Sequence, residues 1–327
     1  MAHLTEEEKN NVLGNPEQYR YQLLSRLKSD CDYWLGNGNR FDGCLWASGG
    51  LAKHIAYMRE LWKSFHEDKK PEWLSLDEIN EYAVKMGVSA RAVLLPVGEA
   101  PQDIVIDFDD STEQLQGAVG GLIEYIPVFG DKGIDLWVNE EGLLLHLPPN
   151  RALYATDEME QSGYLGQFSA DDSPVKEGDL YSVLVGDAVA CSFDSEGTIS
   201  SMDDKQIDFI KQEFADPNSG RDAVTAFQVL RDIGLTRAPN RTDVKHIAEI
   251  NAEIAAYAVE DLADSPSELD RHPELTEDEQ GLSGGDPHSS LQGKASEAKE
   301  GSAKLSEAEL SELPFSDKAQ PGGHDEI

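Results

Sequence analysis

Near residue 90 the spacing of apolar residues changes from helical to alternating, and that change limits what the chain can fold into. Upstream, in "PEQYRYQLLSRLKSDCDYWL", Tyr19, Leu23, Leu27, Cys31, Trp34 and Leu35 recur at the interval that lines one face of a helix. Asn15 and Pro16 read as N-cap and first helical residue, since proline forfeits nothing where the amide has no partner anyway. Gly36 stands where a left-handed residue would close the helix. Ile55, Met58, Leu61, Trp62 and Phe65 form a second stripe. In "SLDEINEYAVKMG", Ser75 and Glu78 make a capping box, Leu76, Ile79 and Tyr82 the stripe, and Gly87 the stop. Residues 15–87 are expected to be a small all-helical domain behind an N-terminal extension, residues 1–14.

Downstream the period is two. "RAVLLPV" and "DIVIDFD" read as strands joined by the turn residues "GEAPQ", and "STEQLQGAVGG" as a helix capped by Ser111 or Thr112. "LIEYIPVF", "IDLWVNEEGLLLHL" and "LYSVLVGDAVACSFD" follow as strands, with "NEEG" as a hairpin connection in which Gly142 supplies a positive φ. A helix "DDKQIDFIKQEF" closes this mixed domain, which spans 91–216. Residues 221–262 read as a helix pair joined through "TRAPNR". Residues 263–327 have Phe315 as their only aromatic and are expected to be a disordered acidic tail, because they bury too little to offset ordering. The fold class expected is α+β, with a helical N-terminal domain, an acidic central domain, a helix pair and a tail.

The net charge of −36 is unevenly spread. Residues 1–96 carry 12 basic against 14 acidic side chains and residues 217–260 carry 5 against 6, whereas residues 97–216 carry 5 against 26 and residues 261–327 carry 5 against 17. Salt adaptation would acidify every segment, so the segregation calls for another reason. Such a surface disfavours direct contact with a nucleic-acid backbone, but it could imitate one and compete for a basic groove. Solubility is the plainer alternative.

The glycine-rich string "GNGNR" is no phosphate cradle. A cradle needs a strand before the glycines and a helix N-terminus after them; here a helix precedes, Phe41 replaces the third glycine, and no GK[ST] follows. A helix cap and structured loop remain, in which Asn37, Asn39 and Arg40 could serve a partner. Three cysteines without a CxxC pair argue against a disulfide scaffold or zinc ribbon and for a reducing compartment. The histidines lack helical metal-site spacing, and Cys191 reads as a buried strand thiol. No serine lies in a nucleophile elbow. Arg231, Arg237, Arg241 and Lys245 gather about the turn of the helix pair like a DNA-reading helix-turn-helix, although the proline and neutral charge favour a packing hairpin. No catalytic constellation, cofactor or metal is expected. With no run of 18 apolar residues and no signal-peptide pattern, the expected location is the cytoplasm, away from membranes.

"YRYQLLSRLKSDCDYWLGNGNRFDGCLWASGG", followed by "HIAYMRELWKSF" and "KPEWLSLDEINEY", resembles a large polyvalent protein-associated domain, number 11, over residues 15–87. Leu45, Trp46, Ala47 and Ser48 depart from that family's "LWAG". Val119 to Glu124, Asn139 to Gly142, Leu147 to Ala152 and Tyr181 to Gly186 are similar to the pattern of domain of unknown function 3846, over residues 91–215, with Thr156 to Gly178 as an acidic insertion. The resemblances imply a phage, plasmid or integrated-element setting and a role in protecting or establishing incoming DNA.

The expectation is a non-enzymatic accessory protein that binds a host or element protein, itself able to be a nucleic-acid-binding one, through an acidic surface, with anti-restriction or anti-defence as its implied use. Candidate contact residues are Asn37, Asn39, Arg40, Asn139, Glu140, Glu141, Asn150 and Arg151, and Arg151 is expected to pair with a carboxylate. The rival is an enzyme or a small-molecule or nucleotide binder with a pocket at Asn139, His146, Asn150 and Arg151.

Overall fold

A computed structural model describes residues 4–47, 49–166, 173–234 and 237–263; the acidic tail lies outside the described residues. Helix α1 (Glu6–Leu13) starts from a capping box of Thr5 and Glu8, and buries Leu4 and Val12 with the helical core, so residues expected to be an extension are part of that layer. Asn15 does not cap the next helix: its side-chain amide donates to the carbonyls of Asn11 and Val12, closing α1, and α2 (Glu17–Leu35) starts after Pro16. α3 (Leu51–Lys63) and α4 (Leu76–Lys85) complete the layer. Leu23, Leu27, Cys31, Ile55, Met58, Leu61 and Ile79 meet in its core, and Ser75 with Glu78 forms the expected box. Gly87 has φ +73°, which any side chain would strain.

The central region is an antiparallel sheet with a helix on each face. β1 (Ser89–Leu95) pairs with β2 (Gln102–Asp107), placing Ser89 opposite Asp107. α5 (Ser111–Val119) follows a short 3-10 turn; Asp110, not Ser111 or Thr112, is the residue before it, and Gly120 at φ +76° ends it. After β3 (Ile123–Phe129) and β4 (Ile134–Asn139) come β5 (Pro149–Tyr154), α6 (Asp157–Gln161), β6 (Leu180–Val185), β7 (Ala188–Phe193), β8 (Ile199–Ser200) and α7 (Asp204–Glu213). The main sheet runs β2-β1-β7-β4-β3 with β8 on β7, and β5-β6 form a second sheet. Alternation sorts the core: Ala90, Ala92, Val189 and Cys191 face Leu115 and Val119 of α5, while Val93, Leu95, Ile134, Leu136 and Ala190 face Ile207 and Ile210 of α7 and Phe214 just after it.

Two strand readings are corrected. "NEEG" is not a hairpin, because β5 pairs with β6 rather than with β4; residues 140–148 carry the chain from one sheet to the other, and the left-handed residue there is His146 (φ +52°), not Gly142. "LYSVLVGDAVACSFD" breaks at Gly186 (φ +69°) into strands of different sheets. α8 (Ser219–Asp232) packs Ala223 and Ala226 against the second sheet, where α9 (Arg241–Ala263) adds Val244.

Candidate interaction sites

Three of the eight candidate contact residues lie inside the protein. Arg151 has no exposed surface. Its Nε donates to the carbonyl of Phe214 (3.2 Å), Nη1 to the carbonyl of Pro96 (3.1 Å) and to Asn150 Oδ1, and Nη2 to the carbonyl of Glu99. The expected carboxylate partner is thus replaced by backbone carbonyls. Burial pulls the guanidinium pKa below its ordinary value, with the charge of Asp216 opposing. Asn150 donates to the carbonyls of Leu95 and Gly186, each at 2.7 Å, and so ties β1 to the β6–β7 break. Gly220 lets α8 approach this point: a Cβ there would lie 2.7 Å from the amide nitrogen of Arg151. Asn139 donates to the carbonyl of Val119 and accepts from the amide of Glu141, shaping the turn after β4. Of the four residues of the rival pocket His146 alone is exposed, and Asn139 lines a small cavity of about 110 Å³ with Glu140, Leu143, Tyr181 and Val185.

Glu140 and Glu141 are exposed, and beside them Leu144 is 79 % exposed. Asn37, Asn39 and Arg40 are exposed as well, far from those two in sequence and on the helical layer. Gly36 does not adopt the left-handed conformation expected of it; its φ is −93°, and Asn39 and Arg40 take the positive φ values instead, +49° and +54°. The loop folds back because the amide of Gly38 donates to the carbonyl of Tyr33 (2.6 Å), and Arg40 sits 5.6 Å from the Trp34 ring. Exposed Tyr33 and Phe41 flank it. Aromatic, Asn and Arg side chains on one loop have the composition of a contact surface.

Between β5 and β6, where the acidic insertion falls, the described residues hold several carboxylates outward. Met159 and Val175 anchor this lobe in the core, and Asp157, Glu158, Glu160 and Glu177 are exposed around them. The Glu177 amide donates to Glu160 Oε2 (2.8 Å), and Thr156 caps α6 by accepting from the amide of Met159 (3.3 Å). These residues escaped the list of candidates, although the run "TDEME" carries the N-cap signal. Elsewhere several carboxylates already have cations: Asp103 has Lys211 (2.7 Å), Asp204 has Arg91 (2.6 Å) and Asp131 has Lys132 (2.5 Å).

A cleft of about 410 Å³ separates the helical layer from β2 and α5, lined by Arg59, Lys63, Asn80, Asp107 and Asp109 among others. Arg59 crosses it, donating to Asp107 Oδ2 (2.6 Å) and to Asn80 Oδ1 (3.1 Å). Burial would raise the Asp107 pKa, but the bonds from Arg59 and Ser89 hold it below the usual carboxylate value. On the helix pair, Arg237 pairs with Asp243 (2.6 Å), and Arg241 pairs with Glu213 while lying over the Tyr154 ring, so both basic residues of the turn serve packing. Burial pushes the thiols of Cys191 and Cys31 up, the latter to about 12, which leaves both protonated and unreactive. Among the described residues no group of three His, Cys, Asp or Glu side chains could hold a metal, and no helix is long and apolar enough to cross a membrane.

Residues 17–86 match the family described as large polyvalent protein-associated domain 11, and residues 90–215 match a domain of unknown function, DUF3846. No curated protein and no solved structure matches the chain. The two families follow one another along the chain in that order, and the first match associates it with proteins of phages and other mobile elements.

Proposed function

We propose that the chain is a non-enzymatic accessory protein of a phage, plasmid or integrated element, binding a basic host or element protein through the acidic lobe of its central domain. The carrying observation is that Asp157, Glu158, Glu160 and Glu177 project from a segment whose Met159 and Val175 are buried, so the charges sit on a fixed scaffold. Charges held in place lose little on docking, and a partner that normally grips DNA gains by releasing its counterions. A DNA-directed partner such as a restriction or nuclease component fits this chemistry and gives the protein an anti-restriction use in a reducing cytoplasm. The exposed loop of Asn37, Asn39 and Arg40 supplies a second contact, and Glu140 and Glu141 extend the acidic surface.

The test is co-elution of the purified full chain with purified host restriction and nuclease components at low and at high salt. Complexes that form at low salt and dissociate at high salt support the proposal. Retention indifferent to salt removes its electrostatic basis.

A further inference from the structure

The main sheet ends on β3, and among the described residues no strand pairs with the outer side of that strand. The amide of Glu140 donates to the carbonyl of Leu122 (2.8 Å), and in an antiparallel ladder bonded pairs alternate with unbonded ones. Ile123 lies opposite Asn139 and Tyr125 opposite Trp137, so Glu124 and Ile126 bond to β4, while the amides and carbonyls of Ile123 and Tyr125 point away from it. Such an edge is a template for another extended chain. Past Ile126 the template closes, because the register shifts before Phe129 and Pro127 has no N–H to give. Side chains on the open stretch are exposed as well. Tyr125 is 54 % exposed and starts a row of rings on the α5 face, 5.9 Å from Trp137 of β4, which is 5.6 Å from Phe193 of β7. On the other face Leu122 is 55 % exposed, and Glu124, two residues on, is exposed too.

We infer that the Ile123–Ile126 edge takes an extended, basic segment of another protein as an added strand. Charge selects this occupant. Between Arg91 and Lys132 the chain has no lysine or arginine and eight acidic residues, so the edge and the elements next to it attract cations. The acidic residues 261–327 of the chain itself, with 5 basic against 17 acidic side chains, are repelled by the same field, and a second copy would bring its own Glu124 to the same short edge. In an added strand successive side chains alternate between the two faces. A lysine or arginine beside Tyr125 lies against an aromatic ring, and one on the other face lies beside Glu124. Backbone bonds from Ile123 and Tyr125 then supply the affinity and the alternating basic residues the selection. The contact needs nothing of the lobe between β5 and β6 and stands apart from the partner proposed above.

The experiment adds a short synthetic peptide of alternating lysine and valine to the full chain and reads affinity together with amide hydrogen exchange. A peptide of alternating glutamate and valine serves as control. The expected result is binding of the lysine peptide alone, with new protection at the Ile123 and Tyr125 amides. Tyr125→Pro removes an outward N–H and the ring without touching the ladder to β4, and should weaken binding about tenfold or more. Asp157→Asn/Glu158→Gln/Glu160→Gln, in the lobe, should bind the peptide as the natural chain does. No binding, equal binding of both peptides, or binding without protection at Ile123 and Tyr125 overturns the inference, and the exchange reading holds even if the proline variant fails to fold. A folded Tyr125→Pro that binds like the natural chain overturns it as well, and loss confined to the lobe variant assigns the peptide to the lobe instead.

Discussion

Arg151 of β5 donates from Nε to the carbonyl of Phe214 at the end of α7, 3.2 Å away, with both residues almost wholly removed from solvent. The guanidinium fork also gathers the carbonyls of Pro96 and Glu99, so one side chain joins the second sheet, the β1–β2 connection and the helix that covers the main sheet. A planar fork with five donors suits this task, and a lysine could not meet three separated carbonyls at once.

Arg151→Met is therefore expected to destabilise the protein by about 3–5 kcal/mol, from three carbonyls orphaned at roughly 1 kcal/mol or more each and from imperfect filling of the site. Urea unfolding measures it. A loss below about 1 kcal/mol would mean that the carbonyls find water and that Arg151 is no structural hub.

Gly220→Ala sets a methyl group 2.6–2.7 Å from backbone atoms of Asn150 and Arg151, which cannot step aside as a flexible side chain could. Overpacking of this kind costs about 1–3 kcal/mol, against the small gain alanine normally brings to a helix. A thermal midpoint equal to or above that of the natural chain would contradict the close approach of α8 to β5.

His54 is buried in the helical layer, with Nε2 3.0 Å from the carbonyl of Leu27 and no partner for Nδ1. Burial lowers its pKa below 6.5, outweighing the opposing effects of the Leu27 carbonyl and of Asp30. The unfolded chain then takes up the proton more readily than the folded one. Stability is unaffected above the unfolded value of about 6.5 and is lost as the pH falls below it. Unfolding midpoints should drop between pH 7 and pH 5, and His54→Gln, which keeps a donor for Leu27, should flatten that drop. An unaltered slope in the variant would place the titration elsewhere.

Asp107 behaves oppositely. Its lowered pKa adds stability that is present above 3.8 and is lost as the pH falls through the folded value. Arg59→Ala leaves that carboxylate with Ser89 but without its cation in the cleft, at a cost of about 1–3 kcal/mol. Acid unfolding of the variant should begin at higher pH than that of the natural chain; coincident acid transitions would deny the pair this part in joining the two layers.

What the sequence discloses follows from how local each signal is. The stripe Ile55, Met58 and Leu61 and the box of Ser75 and Glu78 lie within one helix each, and both are seen as read. Alternation separates Ile134, Leu136 and Val138 from Asp135 and Trp137, so the two faces of β4 are legible too. The neighbour of β5 was not, because "NEEG" satisfies a hairpin pattern equally well while the pairing with β6 depends on residues some 30 positions on. The surroundings of Arg151 were hidden for the same reason, since its acceptors come from residues 96, 99 and 214. The acidic lobe was visible as composition, but only the burial of Met159 and Val175 shows which of its residues face outward.

Engagement of a basic partner by the acidic lobe is measured as the affinity of one captured restriction or nuclease component for the natural chain and for Asp157→Asn/Glu158→Gln/Glu160→Gln, each over a range of salt. The variant is expected to bind more weakly and with a shallower dependence on salt, its unfolding midpoint unchanged. Equal affinity and equal salt dependence for the two proteins would contradict it.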